Sequence, residues 1–375
     1  MINKHQKELM ILVLNCGSSS VKYSLFRVIW IDNEKDFALI TKGLIECIGQ
    51  KGSSIRNHKQ AIKKVLDTLA YKQFSYRNIN AVGHRVVHGG EYFRKPILIT
   101  KDVLNKVKYC SRLAPLHNPA NIAGIEACQE LLSSVRQVAV FDTAFHQTIP
   151  PRAYLYAIPY KYYRNYNLRK FGFHGMSHQY VAREAAKRLG SSLHRLKLIT
   201  CHLGNGCSIC AVKNGQSLDT SMGFTPLAGL VMGSRSGDID PAAVLYIMQR
   251  ERIGPAEMEG ILNKQSGLKG VSGKSNDMRV LIRAAKKGNK RAKIALRIFS
   301  YSLRKYIGSY MAVMGGVDAV VFTAGIGENI EIKKMLSFGG MLSFLKKLNV
   351  KFLVIHTNEE LMIAQETYKI VGSKK

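Results

Sequence analysis

With 375 residues, 46% of them hydrophobic, the chain exceeds what one core usually organises and suffices for two domains of ordinary size. Fifty-six Lys and Arg against 25 Asp and Glu give a formal charge of +31, a balance that taken alone would suit a nucleic-acid binder. The longest apolar runs, "LMILVL" at 9–14 and "AVVF" at 319–322, fall far short of the roughly 18 residues a membrane helix needs, so no spanning segment is expected.

The basic start "MINKHQKELMILVL" lacks the apolar length and the cleavage sequence of a signal peptide. Seven cysteines, an odd number scattered over a long chain, argue for reduced thiols and a cytoplasmic protein.

In chain order, a strand pair is expected at about 10–28, a helix near 59–71, a short strand before "GHRVVHGGE", a helix near 119–134 and the strand "RQVAVF". After the proline-rich turn "TIPPRAY" the scheme restarts, with a helix after Ser177 and then "LKLITCHLGNGCSICAVKNGQ" as strand, Gly-rich turn and strand. Beyond Asp240 come several helices, the buried strand of "DAVVFTAGIGEN", a further helix, the strand "VKFLVI" and a final helix from Asn358. This is an α/β chain of two related halves, each with a mixed or mostly parallel sheet flanked by helices. The densest basic run, from Arg279 to Tyr306, alternates with apolar residues at helical spacing, so solvated helix faces account for it and nucleic-acid binding is not expected.

Two turns share one design. In "LNCGSSSVKY" at 14–23 a glycine permits close backbone approach, successive N–H groups can form an anion nest, serines add donors and Lys22 adds charge; an ordinary hairpin turn has the same composition. "CHLGNGCSI" at 201–209 repeats it, and two such turns suit the phosphates of a nucleotide. A zinc site from Cys201, His202, Cys207 and Cys210 is rejected, because strand residues three apart face opposite ways and no second cysteine pair completes the set. "SGLKGVSGKS" at 266–275 lacks the first glycine of a P-loop, and no GxGxxG fingerprint appears. Arg85 and Arg235 sit in glycine-rich settings that can present a guanidinium to carboxylate or phosphate oxygens. Asp142 ends an apolar strand, as a helix cap or as a carboxylate that orients Mg²⁺ or the attacking group. Histidines 84, 88, 117, 174, 178 and 202 mostly lie beside Gly, Pro or Asn, and imidazoles can donate to a phosphoryl group's oxygens.

The ordered segments "LNCGSSSVKYSLF", "GHRVVHGG", "APLHNPAN", "FDTAFH", "FGFHGMSH", "CHLGNG", "DTSMGFTPLAGLVMGSRSGDIDP", "FTAGIGEN" and "TNEELMIAQET" resemble the acetate kinase (acetokinase) family from about Met10 to Val371. The resemblance implies two ribonuclease-H-like, actin-like ATPase domains around a nucleotide cleft, residues 1–147 with 360–375 and residues 148–359. It implies a homodimer that uses ATP with Mg²⁺ (or Mn²⁺) to phosphorylate acetate reversibly. Position by position, Asn15 and Glu359 would hold the metal; Ser18, Ser20 and Lys22 lie in the first phosphate turn, and His202, Asn205 and Gly206 in the second. Arg85 and Arg235 resemble the pair for substrate carboxylate and phosphoryl group, Asp142 the essential acid, and His174 the donor to the phosphoryl group, with His117 nearby. Val87, Leu116, Phe173 and Pro226 resemble the apolar pocket for the methyl group. Asp277, Arg279, Gly325 and Ile326 match the adenosine-binding stretches, with Gly327 to Asn329 completing that turn. Acetate is already a nucleophile, so positioning and charge neutralisation suffice, and Arg85→Ala and Arg235→Ala are each expected to cost about 3 kcal/mol of transition-state stabilisation with folding intact.

The chain departs from the family pattern in short stretches after Gly52 and between "GENIEIKK" and "TNEE", in His356 where proline is preferred, in Ala228 where glutamate is common, and in its charge. A kinase for a longer acid such as propionate, and a degraded protein that binds nucleotide or nucleic acid without turnover, are the competing readings.

Overall fold

A computed structural model describes residues 8–31, 34–329, 345 and 348–372. The chain divides into two compact units, one of residues up to Phe145 together with those from Asn358, the other His146–Thr357.

The first unit is built on a six-stranded sheet in the order β3-β2-β1-β4-β6-β5, comprising β1 (Leu9–Cys16), β2 (Val21–Ile31), β3 (Glu34–Ile45), β4 (Ile79–Val86), β5 (Ile97–Leu98) and β6 (Arg136–Phe141). The first three form an antiparallel meander, whereas β1, β4 and β6 run parallel. Ile11, Leu12 and Val13 are all fully buried, which is why "LMILVL" reads as an unbroken apolar run: both faces of the strand are covered. On one face, Leu12, Leu14, Tyr23, Leu25 and Val82 pack with Ile62, Val65 and Leu69 of the helix His58–Tyr71 and Ala127 and Cys128 of the helix Asn118–Leu131. The last helix, Glu359–Gly372, packs on β1, β4 and β6, and Gly83 lets it approach, since a Cβ there would run into Thr367 and Ile363.

The second unit repeats the order as β9-β8-β7-β10-β11: β7 (Lys197–Leu203), β8 (Cys207–Lys213) and β9 (Gln216–Thr220) are an antiparallel meander, and β10 (Ala319–Thr323) and β11 (Lys351–Val354) lie parallel to β7. The helices Gly175–Arg188 and Lys290–Met314 pack on this sheet. Cys201, Cys207 and Cys210 are buried within β7 and β8, and burial pushes the thiols of Cys207 and Cys210 up to about 12. In the basic helices Met278–Lys286 and Lys290–Met314, Leu281, Phe299, Leu303 and Ile307 face inward while Arg279, Lys293, Arg304 and Lys305 are exposed.

Some elements differ from the expectation. The strand pair near 10–28 is a three-stranded meander, because β3 is an edge strand with Leu39 and Leu44 half-exposed and polar residues interrupting its alternation. The helix expected after Ser177 begins at Gly175. The further helix expected between Asn329 and Val350 lies outside the described residues apart from Leu345.

One core group gives stability a pH dependence. His84, 2% exposed, bonds through Nε2 to Gln137 Oε1 at 2.9 Å, and burial pulls it from 6.5 down to about 4 against that bond. The unfolded chain therefore takes up a proton that the folded chain refuses: stability is complete above about 6.5 and falls as pH drops towards 4. His178 acts in the same direction, its pKa lowered by burial and by His146 and His202. Urea unfolding at pH 7 and pH 4.5 is expected to show that His84→Gln removes roughly 2 to 3 kcal/mol of the acid-induced loss. Equal losses in variant and parent would contradict this.

Candidate active site

In the first unit, parallel strands deliver their residues to one end of the sheet, the end where open α/β sheets bind ligands. Asn15 is near the end of β1, Arg85 near the end of β4, and Asp142 directly follows β6, its N–H bonded to Val86 O at 2.9 Å. Arg85 donates from Nη2 to Asp142 Oδ2 at 2.9 Å and from Nη1 to Asn15 Oδ1 at 3.4 Å, and its Nε lies 4.0 Å from Glu359 Oε2 at the start of the last helix. Burial disfavours the charged guanidinium, but Asp142 and Glu359 outweigh it and raise its pKa. Burial pushes the Glu359 carboxyl up to about 7, with Arg85 opposing and Asp142 and Glu360 adding to the rise.

The turn from Gly17 to Ser20 is closed by Gly17 N–H to Ser20 O at 2.8 Å, with Ser18 exposed and Ser20 half-buried. Lys22 follows it, ion-paired with Glu360, a partner the sequence did not single out. Asn121 links the segments by accepting from Val87 N–H at 3.0 Å and donating to Cys16 O at 2.7 Å. His117 occupies the N-cap position of the helix Asn118–Leu131 without a side-chain capping bond. Val87 is 5% exposed, whereas Leu116 is 66% exposed.

The second unit gathers His174, His202, Arg235 and the turn Gly204–Gly206. His174 precedes the helix Gly175–Arg188 in the left-handed region, φ 57°, a conformation that non-glycine residues hold only where surrounding structure imposes it. Its ring stacks on His202 with centroids 4.1 Å apart. Both side chains border the turn: a Cβ at Gly206 would lie 3.4 Å from Arg235 Nη1 and 3.6 Å from His174 Nε2. Arg235 donates to Pro226 O at 3.1 Å, and burial lowers its pKa. Phe173 is 3% exposed and Pro226 half-buried.

Beside that turn lies a cavity of about 490 Å³ lined by Asn205, Asp277, Arg279, Gly325, Ile326 and Asn329, all expected from the sequence, and by Gly204, Asn276 and Met278, which were not. Asn276 donates to Asn205 Oδ1 at 3.1 Å; its position next to Asp277 was the available signal. Asp277 caps the helix Met278–Lys286 and is held at about 2, chiefly by its hydrogen bond with Arg279. His202, Gly206 and Gly327 do not line this cavity, and Gly327 packs instead against Phe322. The substituted His356 has a role: its Nδ1 lies 2.7 Å from Glu328 Oε2, while Glu328 Oε1 accepts from Ala324 N–H at 2.9 Å, bracing the turn that carries Gly325 and Ile326.

Each unit thus presents a half-buried arginine near a small-residue turn at the end of a ribonuclease-H-like sheet, and one presents a nucleoside-sized cavity as well: the arrangement of an actin-like phosphotransferase. Comparison with known proteins makes the assignment definite. The model of the acetokinase family matches residues 10–365, and the chain belongs to that family, which makes it a kinase with a carboxylate as acceptor. It is 52% identical to the acetate kinase of Thermoanaerobacterium thermosaccharolyticum over 406 aligned positions, covering 97% of this chain and 100% of the relative. That alignment is longer than the 375-residue chain, so residues are missing within it relative to this relative. The crystal structure of Porphyromonas gingivalis acetate kinase is 40% identical with a TM-score of 0.89, covering 97% of this chain and all of that one. A propionate kinase structure from Francisella tularensis is 44% identical with a TM-score of 0.84, covering 96% and 100%.

Proposed function

We propose that the chain transfers the γ-phosphoryl group of ATP reversibly to acetate, giving acetyl phosphate and ADP by direct in-line attack. The observation that carries this, in a chain of the acetokinase family, is a guanidinium bonded to a buried carboxylate at the ends of β4 and β6. Acetate needs no base; it needs its carboxylate oriented and the transferring phosphoryl group's charge neutralised. Arg85 is assigned to the carboxylate and, with Arg235, to the phosphoryl group. Asp142 holds the Arg85 guanidinium in place, and His174 donates to a phosphoryl oxygen with His117 assisting. Val87, Leu116, Phe173 and Pro226 are assigned to the methyl group. Ser18, Ser20, Lys22, His202, Asn205 and Gly206 are assigned to the phosphates, and Asp277, Arg279, Gly325, Ile326, Gly327 and Asn329 to the nucleoside.

For Mg²⁺, Asn15 and Glu359 supply two hard oxygen donors, both within 4.0 Å of the same guanidinium, and Mg²⁺ commonly takes one or two protein oxygens beside water and phosphate. The residues fit the ion, which when bound neutralises charge on the phosphate oxygens. Chelation with EDTA is expected to abolish turnover and added Mg²⁺ to restore it; full activity in excess chelator would exclude the metal.

Exposed Leu245, Tyr246, Ile294, Ile298 and Tyr301 in the second unit support a homodimer, and seven free cysteines support a reducing cytoplasm. Among the described residues no helix is long and apolar enough to cross a membrane. The 44% identity to a propionate kinase favours a second reading, propionate as acceptor, because one methylene changes discrimination by only about 1 to 3 kcal/mol. Trapping the acyl phosphate as its hydroxamate with Mg-ATP and acetate, propionate or butyrate in parallel tests both. Acetate-dependent product with the highest kcat/KM supports the first reading, a propionate maximum the second, and no product from folded, ATP-binding protein neither.

A further inference from the structure

Behind His174 runs a line of buried hydrogen bonds. His174 Nδ1 lies 2.8 Å from Ser208 Oγ, and the same hydroxyl lies 2.7 Å from His178 Nε2. His178 Nδ1 lies 2.7 Å from Thr200 Oγ1. Ser208, His178 and Thr200 are all fully buried, on β8, the helix Gly175–Arg188 and β7. We propose that Ser208 and His178 are positioning residues for His174, a relay that keeps the proton of the neutral imidazole on Nε2, the nitrogen facing the Gly206 turn. The proposal rests on the reading of His174 as donor to the phosphoryl group.

Proton counting narrows the direction to two orders. A serine hydroxyl has one proton and here meets two imidazoles, so it donates to one and accepts from the other. A neutral imidazole likewise has one N–H and one acceptor nitrogen. Burial, His146 and His202 keep His178 neutral. Two orders satisfy every atom. In one, Thr200 Oγ–H donates to His178 Nδ1, His178 Nε2–H to Ser208, and Ser208 Oγ–H to His174 Nδ1, leaving the His174 proton on Nε2. The reverse order leaves an Nε2 lone pair facing the turn. That turn is shared with the Arg235 guanidinium, whose Nη1 lies 3.4 Å from the Gly206 Cβ position. A place built for anionic oxygens favours N–H over a lone pair, and so the first order.

The other groups around the relay leave this order in place. His202 stacks on His174 but its Nδ1 is occupied by Ser177 Oγ at 2.8 Å. His146, whose ring centroid is 5.7 Å from that of His178, bonds through Nδ1 to Ser217 Oγ at 2.8 Å. The Cys207 thiol donates to Gly204 O at 3.2 Å. The i, i+4 spacing of His174 and His178 in "FGFHGMSH" was visible in the sequence, but only the first was given a role.

The test is spectroscopic and kinetic. Two-bond ¹⁵N–¹H correlation spectra of histidine-labelled protein at pH 7, assigned with Ser208→Ala and His178→Gln, are expected to show His174 and His178 as Nε2–H tautomers. Either one as the Nδ1–H tautomer overturns the relay. In the hydroxamate assay Ser208→Ala is expected to lower kcat by about 10- to 100-fold, the scale of losing a group that orients a functional histidine, with KM for acetate and ATP within about threefold. Ser208→Thr, which keeps the hydroxyl, should restore most of it; kcat in Ser208→Ala equal to the parent, or no rescue by threonine, overturns the positioning role. Were the parent protein to make no acyl phosphate, the kinase reading would fail while the spectra still decided the relay.

Discussion

Arg85→Ala is expected to lower kcat/KM for acetate by 100-fold or more, about 3 kcal/mol of transition-state stabilisation, the usual scale for losing a positioned donor. The structure adds a cost that the sequence did not suggest. Asp142, 1% exposed, and Glu359 would both lose the cation they share, and removing one partner of a buried pair destabilises by several kcal/mol. The expectation of intact folding therefore does not extend to alanine at this position. Arg85→Lys separates the two effects: an ammonium keeps positive charge near Asp142 but lacks the planar fork that can bond Asp142 and Asn15 together. Thermal unfolding of the lysine variant should stay near the parent while its kcat/KM falls nearly as far as in the alanine variant. A lysine variant with near-parental turnover would remove Arg85 from its assigned role.

What the sequence disclosed follows from the range of the interactions. β1 and β10 were legible because strands covered on both faces are continuous apolar runs, and the turns 15–20 and 204–206 because close backbone approach requires small residues. β3 was not legible, since an edge strand tolerates polar residues on either face. The resemblance placed Arg85, Asp142 and Glu359 in one functional list, but not the fact that one guanidinium ties the ends of β1, β4 and β6 to the last helix. Ser208 and Thr200 were invisible because strand serines and threonines are common, and nothing local says that an imidazole from a helix will reach them. Leu116 shows the converse: an apolar residue in the right motif is still 66% exposed.

Gly267→Ala should be the most damaging single-methyl change near Arg235. "SGLKGVSGKS" is not a P-loop, yet its first glycine, at φ 64°, sits where a Cβ would run into Met232 O and lie 2.5 Å from Arg235 O and 3.0 Å from Arg235 N. These are backbone atoms, which cannot swing aside as a side chain would. The same stretch is laced to the arginine loop by Leu268 N–H to Met232 O at 2.9 Å and Ser266 N–H to Ser234 O at 3.1 Å. An alanine must therefore displace the loop or break those bonds, on top of about 1 kcal/mol for a left-handed L-residue. The expected result is a loss of roughly 3 kcal/mol or more of stability, with kcat falling at least 10-fold in the protein that remains folded, because Arg235 moves with its backbone. Gly308→Ala is the control: it lies inside the helix Lys290–Met314 with nothing within 4 Å of its Cβ position, so it should stabilise by about 0.5 to 1 kcal/mol and leave turnover unchanged. If the two alanines gave equal urea midpoints and equal kcat, the loop around Arg235 would not be pinned through Gly267.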